Sequence, residues 1–270
     1  MLTRLLSSLR PGPKKPGLGL LGPDTRAPQE QGKFDWGFDK LGFAGTSILS
    51  VDLTPLIINV LNQQSTQSCV ANAWEQALRM ERKRLGFPVV LGSRLFGYSN
   101  SRAEHFEEKS DAGTYLRTYA WALKKVGSCP EADWPFEPNK VNVHPPARAY
   151  RNAWALRGIR GYFKIYESGY ARTAAIRAAL AEGKAVVFGT AIDEAFLDAS
   201  GPSLVAKPRS IFGRHAMCFC GYSPDEKNGD FKYKLVNSWT DQWRDGGFVH
   251  LTEEYVQWEE LEDLWVVSLV

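Results

Sequence analysis

Gln63-Gln64-Ser65-Thr66-Gln67-Ser68-Cys69-Val70-Ala71-Asn72-Ala73-Trp74 is the stretch that decides the fold. From Val70 onward, Val70, Ala73, Trp74, Ala77, Leu78 and Leu85 recur at helical spacing. Ser68 reads as an N-cap and Gly86 as a C-terminal stop. The pattern predicts a buried helix with Cys69 in its first turn. There the helix dipole and the free backbone N–H groups favour a thiolate. A thiolate attacks carbonyl carbon, so Cys69 reads as a nucleophile, with a buried structural cysteine as the plain alternative.

A nucleophilic sulfur needs a base, and the base needs an orienting group. The chain has four histidines. His105 lies in a charged stretch and reads as solvated surface. His144 precedes Pro145-Pro146 and reads as loop, and His250 reads as structural. His215 opens an apolar strand after Gly213-Arg214, where its ring can face a cleft. Asn237 closes the next strand, and its amide oxygen could accept from the imidazole. Trp239 could shield that hydrogen bond from water. Gln63 lies six residues before Cys69. Its side-chain amide and the Cys69 backbone N–H could form an oxyanion hole.

Two further helices follow from periodicity, over about Thr114–Val126 with Gly127 at its end and about Thr173–Glu182 ending at Gly183. After Gly183 the pattern reads as strands: Ala185–Gly189, His215–Tyr222, Phe231–Asn237, Phe248–Leu251 and Leu264–Val270. Helices before about residue 157 and strands after it argue for an α+β protein with two lobes. The expected division is an arm over 1–50, a helical lobe with the nucleophile helix over 51–157, and a β-rich lobe carrying the His and the Asn over 158–270.

The balance of the chain narrows its class. It has 270 residues, 44% of them hydrophobic, with nine Trp and fourteen Phe. That content supports a sizeable core and excludes a mainly disordered chain. A net charge of +3 is too mild to suggest nucleic-acid binding. No apolar run is long enough to span a membrane. Met1–Arg10 lacks the apolar core of a secretory signal. Four cysteines are too few for a disulfide scaffold. A reduced chain of cytoplasmic or virion-associated origin is expected. Cys218 and Cys220 share one strand face, with Met217 and Phe219 on the other. They read as core rather than as zinc ligands, so neither a metal nor a cofactor is expected.

The first fifty residues read differently. Leu2, Leu5, Leu6 and Leu9 make one short apolar face, and Pro11–Pro28 holds five Pro and four Gly. Such a stretch continues neither a helix nor a central strand. It reads as a latch or docking arm for a protein partner or assembly. The alternative is a short propeptide with Phe34, Trp36 and Phe38 occupying the cleft.

Taken in order, these segments resemble papain-like cysteine peptidases of the C1 type, above all the prokaryotic and phage branch without the usual disulfides. The resemblance runs from about Val51 to the C-terminus. Val51-Asp52-Leu53-Thr54-Pro55 resembles that branch's opening segment. Asn62-Gln63 with Ser68-Cys69-Val70-Ala71-Asn72-Ala73 resembles its nucleophile motif. Ser93-Arg94-Leu95-Phe96, with Tyr98, Asn100 and Arg102, resembles its next helix. Asp111-Ala112-Gly113 with Leu116-Arg117 resembles its substrate-backbone loop. Gly127, Cys129-Pro130-Glu131 and Trp134-Pro135-Phe136 follow. Gly213-Arg214-His215-Ala216 and Asn237-Ser238-Trp239, with Trp243 and Gly246-Gly247-Phe248, complete the series. His215 lies 146 residues after Cys69, within the roughly 130–150 residues that separate such pairs in this family.

The resemblance implies a papain-like fold, a helical lobe plus an antiparallel β-barrel-like lobe, with the cleft between them. It implies a polypeptide substrate and peptide-bond hydrolysis through an acyl-enzyme. Cys69 would be the nucleophile, His215 the acid and base, Asn237 its orienter and Gln63 the oxyanion donor. Ala112 and Gly113 would line the non-primed side and Ala216 the wall of the main specificity pocket, with Trp239 also among the substrate-binding residues. The chain also departs from the pattern. Thr66 and Val70 stand where papain and the cathepsins carry a Cys and an aromatic residue. Thr240 and Arg244 replace glycines after Trp239 and Trp243, at the cleft rim, where their side chains could narrow primed-side access. Ala112 replaces one glycine of the substrate loop. The reading from another class is a catalytically silent papain-like module serving assembly or binding.

Overall fold

The computed structural model describes residues 16–24, 35–37, 46–155 and 159–269. The leucine face of residues 2–9, and Phe34 and Phe38, lie outside the described residues.

Helix α1 (Cys69–Arg84) forms where the spacing predicts it, and Gly86 ends it at φ +71°. Its burial is wider than one apolar stripe. Every residue from Cys69 to Glu81 is buried, because α1 has neighbours on both sides. On one side lie α2 (Arg94–Ala103) and α3 (Leu116–Val126), and on the other lies the sheet. Polar residues inside this sandwich need partners. The Glu75 carboxylate accepts from the Gly92 N–H at 3.1 Å, and the Tyr119 and Ser128 hydroxyls stand 3.4 Å away. The Trp74 indole N–H donates to the Leu116 carbonyl at 3.0 Å. Ser68 occupies the N-cap position, but its hydroxyl makes no cap hydrogen bond. It is engaged by Thr66 Oγ1 and Asn72 Nδ2 instead. Helix α3 begins at Leu116, two residues later than expected, because Thr114 pairs as extended chain. Helix α4 (Ala147–Ala155) completes the helical side.

The described residues form nine strands, β1 (Asp35–Gly37), β2 (Val51–Asp52), β3 (Gly161–Ile165), β4 (Val186–Ile192), β5 (Leu204–Val205), β6 (Gly213–Pro224), β7 (Phe231–Val236), β8 (Phe248–Thr252) and β9 (Leu261–Ser268). They make one sheet in the order β1-β3-β9-β4-β6-β7-β8-β5, with β2 on β6. Only β1–β3 and β5–β8 pair in parallel. Helices α5 (Gly169–Ala181) and α6 (Glu253–Gln257) belong to this lobe.

Strand β6 is buried on both faces. Met217 and Phe219 pack into the cluster beneath α5, while Ala216, Cys218 and Cys220 pack into the cluster around α1. All four cysteines are free thiols. The register sets His215 opposite Thr190 and Ala216 opposite Gly189. The far end of the sheet is pinned by Arg172 of α5, whose guanidinium donates to the carbonyls of Val256, Trp258 and Leu261. Among the described residues no helix is long and apolar enough to cross a membrane.

Arg172→Leu leaves those three carbonyls short of a buried donor. Urea denaturation should show a loss of about 2–4 kcal/mol, with the fold retained. A loss within about 0.5 kcal/mol, the range of ordinary surface changes, would show that this link carries nothing.

Candidate active site

Cys69 starts α1 and His215 lies on β6, and α1 packs against β6. The backbone N–H of Ala216, next to His215, acts on the Cys69 sulfur, so sulfur and imidazole belong to one site. Asn237 follows β7, its N–H held by the Gly247 carbonyl at 3.0 Å. Its Oδ1 stands 2.8 Å from His215 Nε2. An amide oxygen only accepts, so Nε2 carries the proton and Nδ1 keeps a lone pair. Trp239 stacks on the imidazole at 4.6 Å between centroids, and Trp243 meets Trp239 edge-on at 5.3 Å. The expected shield over the His–Asn hydrogen bond is therefore in place.

Gln63 is fully buried. Its Oε1 accepts from the Ser238 hydroxyl at 2.6 Å, and its backbone N–H donates to the Ser238 carbonyl at 2.9 Å. An antiparallel bridge joins Asn62 to Trp239 just beside it. The segment before Cys69 is thereby stitched to the segment after Asn237. Its Nε2 faces the cleft and donates to the Thr66 carbonyl at 3.0 Å.

Nε2 has a second acceptor, the carbonyl of Gly17 at 2.8 Å. Residues 16–24 lie across the site as a strap. The Thr114 N–H donates to the Gly19 carbonyl at 2.9 Å, and the Leu21 N–H donates to the Thr114 carbonyl at 3.2 Å. Leu20 thus pairs in parallel with Thr114. The Gly19 N–H acts on the Cys69 sulfur. Leu20 fills the space over Gly189, where a Cβ would stand 2.5 Å from its methyl carbon, and Leu18 covers Gly213. A Cβ on Gly17 would stand 2.2 Å from the Thr66 carbonyl oxygen, and one on Gly19 would stand 1.6 Å from that of Gln67. The alternation Gly17-Leu18-Gly19-Leu20 is a steric requirement: glycines pass the backbone and leucines fill pockets.

The strap sets the electrostatics. Cys69 and His215 have no exposed surface. Burial pushes the Cys69 thiol up to about 11, against the pull of the Ala216, Gly19, Val70 and Cys69 backbone N–H groups. Burial pushes the His215 imidazole down to about 4, with the Asn237 hydrogen bond opposing. Among the described residues His215 Nδ1 has no hydrogen-bond partner. Burial thus favours the neutral thiol and the neutral imidazole under the strap.

The other expected positions are distributed as follows. Ala216 lies buried in the same cluster as Leu20. Gly113 adopts φ +85°, and a Cβ there would stand 2.3 Å from the Gly19 carbonyl oxygen. Ala112 is exposed, and the pairing with extended chain is made by Thr114, a residue that sequence reasoning did not select. Its only sequence signal is its place just before the first turn of α3. Thr240 and Arg244 take φ of +70° and +47°, so both keep a backbone that favours glycine. Thr240 lines a cavity of about 840 Å³ beyond Gly17, with Trp239, Leu197, Glu194 and Asp198. The Arg244 side chain is not turned into that space. It holds the carbonyls of Pro202, Ala195 and Phe196. His105 is half-buried, with Nε2 at 3.0 Å from Thr118 Oγ1, and is not the solvated residue its charged neighbours suggest. Among the described residues no cluster of potential metal ligands occurs. The backbone of Asp35–Gly37 pairs with β3, on the sheet edge.

Such a fold, with a thiol at a helix N-terminus and an amide-bonded imidazole on the strand that packs against that helix, defines a thiol-dependent hydrolase of the papain type. Comparison with known proteins agrees. The papain family cysteine protease pattern matches residues 95–266, a span that holds His215 and Asn237 and begins after Cys69. The peptidase C1-like protein L477 of Acanthamoeba polyphaga mimivirus is 30% identical over 227 residues, covering 80% of this chain and 71% of the relative. Xylellain, a cysteine protease from Xylella fastidiosa, superimposes with a TM-score of 0.79 at 27% identity, over 100% of this chain and 99% of its own. Digestive procathepsin L 3 of Tenebrio molitor larval midgut shares the fold at TM-score 0.66 and 15% identity, over 84% of this chain and 73% of its own. The chain belongs to the papain family of cysteine proteases, and polypeptides are the substrate class that this family implies.

A thiol held near 11 is ionised to only about one part in ten thousand at pH 7. Alkylation of Cys69 in the full-length chain should therefore be slow at neutral pH and climb steadily up to about pH 10. Fast labelling that is flat from about pH 5 to 8 would mean that a thiolate–imidazolium pair exists beneath the strap.

Proposed function

We propose that the chain is a cysteine endopeptidase kept latent by its own strap, residues 16–24. The observation that carries this reading is the pairing of the strap with the reaction groups themselves, the Gly17 carbonyl on Gln63 and the Gly19 amide at Cys69. Residues 16–24 of the arm are accordingly read as a propeptide-like plug rather than as a docking segment.

With the strap displaced, water and substrate reach both Cys69 and His215. Rehydration removes the burial that holds them neutral, and the proton passes from sulfur to Nδ1. The thiolate then attacks the scissile carbonyl carbon. The oxyanion takes the Gln63 amide N–H now given to Gly17, together with the Cys69 backbone N–H. Collapse breaks the C–N bond as His215 gives its proton to the leaving amine, leaving a thioester on Cys69. His215 next takes a proton from water, whose oxygen attacks the thioester. Collapse releases the new carboxyl end and regenerates the thiolate–imidazolium pair. Asn237 keeps the ring oriented throughout, and Trp239 keeps water from their hydrogen bond. Thr114 pairs with substrate backbone as it does with the strap. The pocket over Gly189 and beside Ala216, filled by Leu20, takes an aliphatic side chain.

The strap escapes cleavage because of the group it sets at the sulfur. It offers the sulfur an amide N–H where a substrate offers a carbonyl carbon. Its one carbonyl on the oxyanion donor belongs to Gly17, two residues away.

Turnover of mixed fluorogenic peptides tests the reading. Gly19→Val cannot seat against the Gln67 carbonyl, so it should raise the rate of the full-length chain at least about tenfold. Adding Cys69→Ala or His215→Ala should abolish that gain. No turnover by Gly19→Val, with Cys69 now open to alkylation, would favour the silent module.

A further inference from the structure

Helix α2 lies outside the reaction groups, yet three of its side chains converge on residues 110–114. The Tyr98 hydroxyl donates to Asp111 Oδ1 at 2.7 Å and accepts from the Gly113 N–H at 2.9 Å. Ser101 Oγ is hydrogen-bonded to Thr114 Oγ1. Arg102 stacks over the Tyr98 ring at 4.1 Å and donates to the carbonyls of Ser110 and Val141. Tyr98, Ser101, Arg102 and Thr114 are all buried. Asp111 then reaches across to the nucleophile segment, where its two carboxylate oxygens stand 3.0 and 3.1 Å from the Gln67 backbone nitrogen, two residues before Cys69.

These contacts form one chain of bonds, from Gly113 through Tyr98 and Asp111 to Gln67. It also explains why the strap pairs with Thr114 and not with Gly113. The Gly113 N–H is already given to Tyr98, so the next residue presents its N–H and C=O to an extended ligand. Burial and the Asp111 charge push the Tyr98 hydroxyl well above its ordinary value, which keeps it a donor.

We propose that Tyr98 and Asp111 are positioning residues, which fix the distance between the substrate-pairing groups of Thr114 and the turn that carries Cys69. The inference rests on the peptidase reading above and assigns that site its spacer. Loss of the Tyr98 hydroxyl leaves the buried Gly113 N–H without an acceptor and frees the strand, while the Asp111–Gln67 bond survives. Substrate binding should weaken and the chemical step should not. Loss of the Asp111 carboxylate frees the Gln67 end and takes away the acceptor that orients the Tyr98 hydroxyl, so chemistry should fall as well as binding.

The test uses full-length Gly19→Val protein as the parent. Adding Tyr98→Phe should raise KM about tenfold with kcat within about twofold, the size expected for one misplaced backbone pairing. Adding Asp111→Ala should raise KM and lower kcat, and Asp111→Asn, which retains one carbonyl acceptor, should recover part of both. A second measurement needs no turnover: the affinity of a synthetic peptide with the sequence of residues 16–24, followed by calorimetry, should fall by the same factor with Tyr98→Phe. A lower Tm with KM and peptide affinity unchanged would overturn the proposal and leave a packing role. If the parent hydrolyses nothing, the peptidase reading fails, and the peptide affinities still decide this one.

Discussion

The backbone of Gly19 runs so close to the turn before α1 that a methyl group there would stand 1.6 Å from the Gln67 carbonyl oxygen. That approach sets the state of the whole cleft. It brings the Gly19 amide to the Cys69 sulfur, seats Leu20 over Gly189 and Leu18 over Gly213, and leaves neither sulfur nor imidazole any exposed surface. A thiolate and an imidazolium are stable together only where solvent or fixed dipoles support their charges. Under the strap the supporting dipoles are four backbone N–H groups and one amide oxygen, and burial outweighs them. The groups are assembled and discharged at once. The helix N-terminus that favours a thiolate in an open cleft is present here, and desolvation overrides it.

The two lobes divide the work along lines that the packing explains. The helical side supplies rigidity at the nucleophile. Helix α1 is enclosed on both sides, and its Glu75 carboxylate finds partners inside that enclosure. The sheet supplies His215 from β6 and Asn237 from the end of β7, at heights fixed by strand register. Gln63 and Ser238 join the two halves at the point where the oxyanion would form. Helix α2 and Asp111 set the remaining distance, between the nucleophile turn and the strand that pairs with extended chain. Each element of the site thus answers to an element of the fold, and residues 16–24 lie in the space between them.

Much of this was legible in the chain. Helix α1 follows from its apolar spacing, α3 and α5 from theirs, and β7 from alternation. The candidate residues Cys69, His215, Asn237 and Gln63 follow from chemistry and spacing, and the structure brings them to one cleft. The strands β1, β2 and β5 were not legible, because two or three residues carry no period. Alternation sets Met217 and Phe219 on the face of β6 opposite the buried cysteines, and it does not announce that α5 covers that face too. Ser68 was read as a capping side chain, but its hydroxyl was claimed by Thr66 and Asn72. Thr114 and the strap were hidden for a different reason. Their roles depend on a clash-free approach between segments far apart in sequence, and only Gly17 and Gly19, read as part of a Pro/Gly-rich arm, hinted at it.

Latency of the site turns on the charge state of one ring. Ring-nitrogen NMR of His215 in the full-length chain should show a neutral imidazole at about pH 6, where a free histidine is largely protonated, with the proton on Nε2 and titration only near 4. A charged imidazolium at that pH, with no change of the chain from full length, would contradict the claim that the strap disarms the pair.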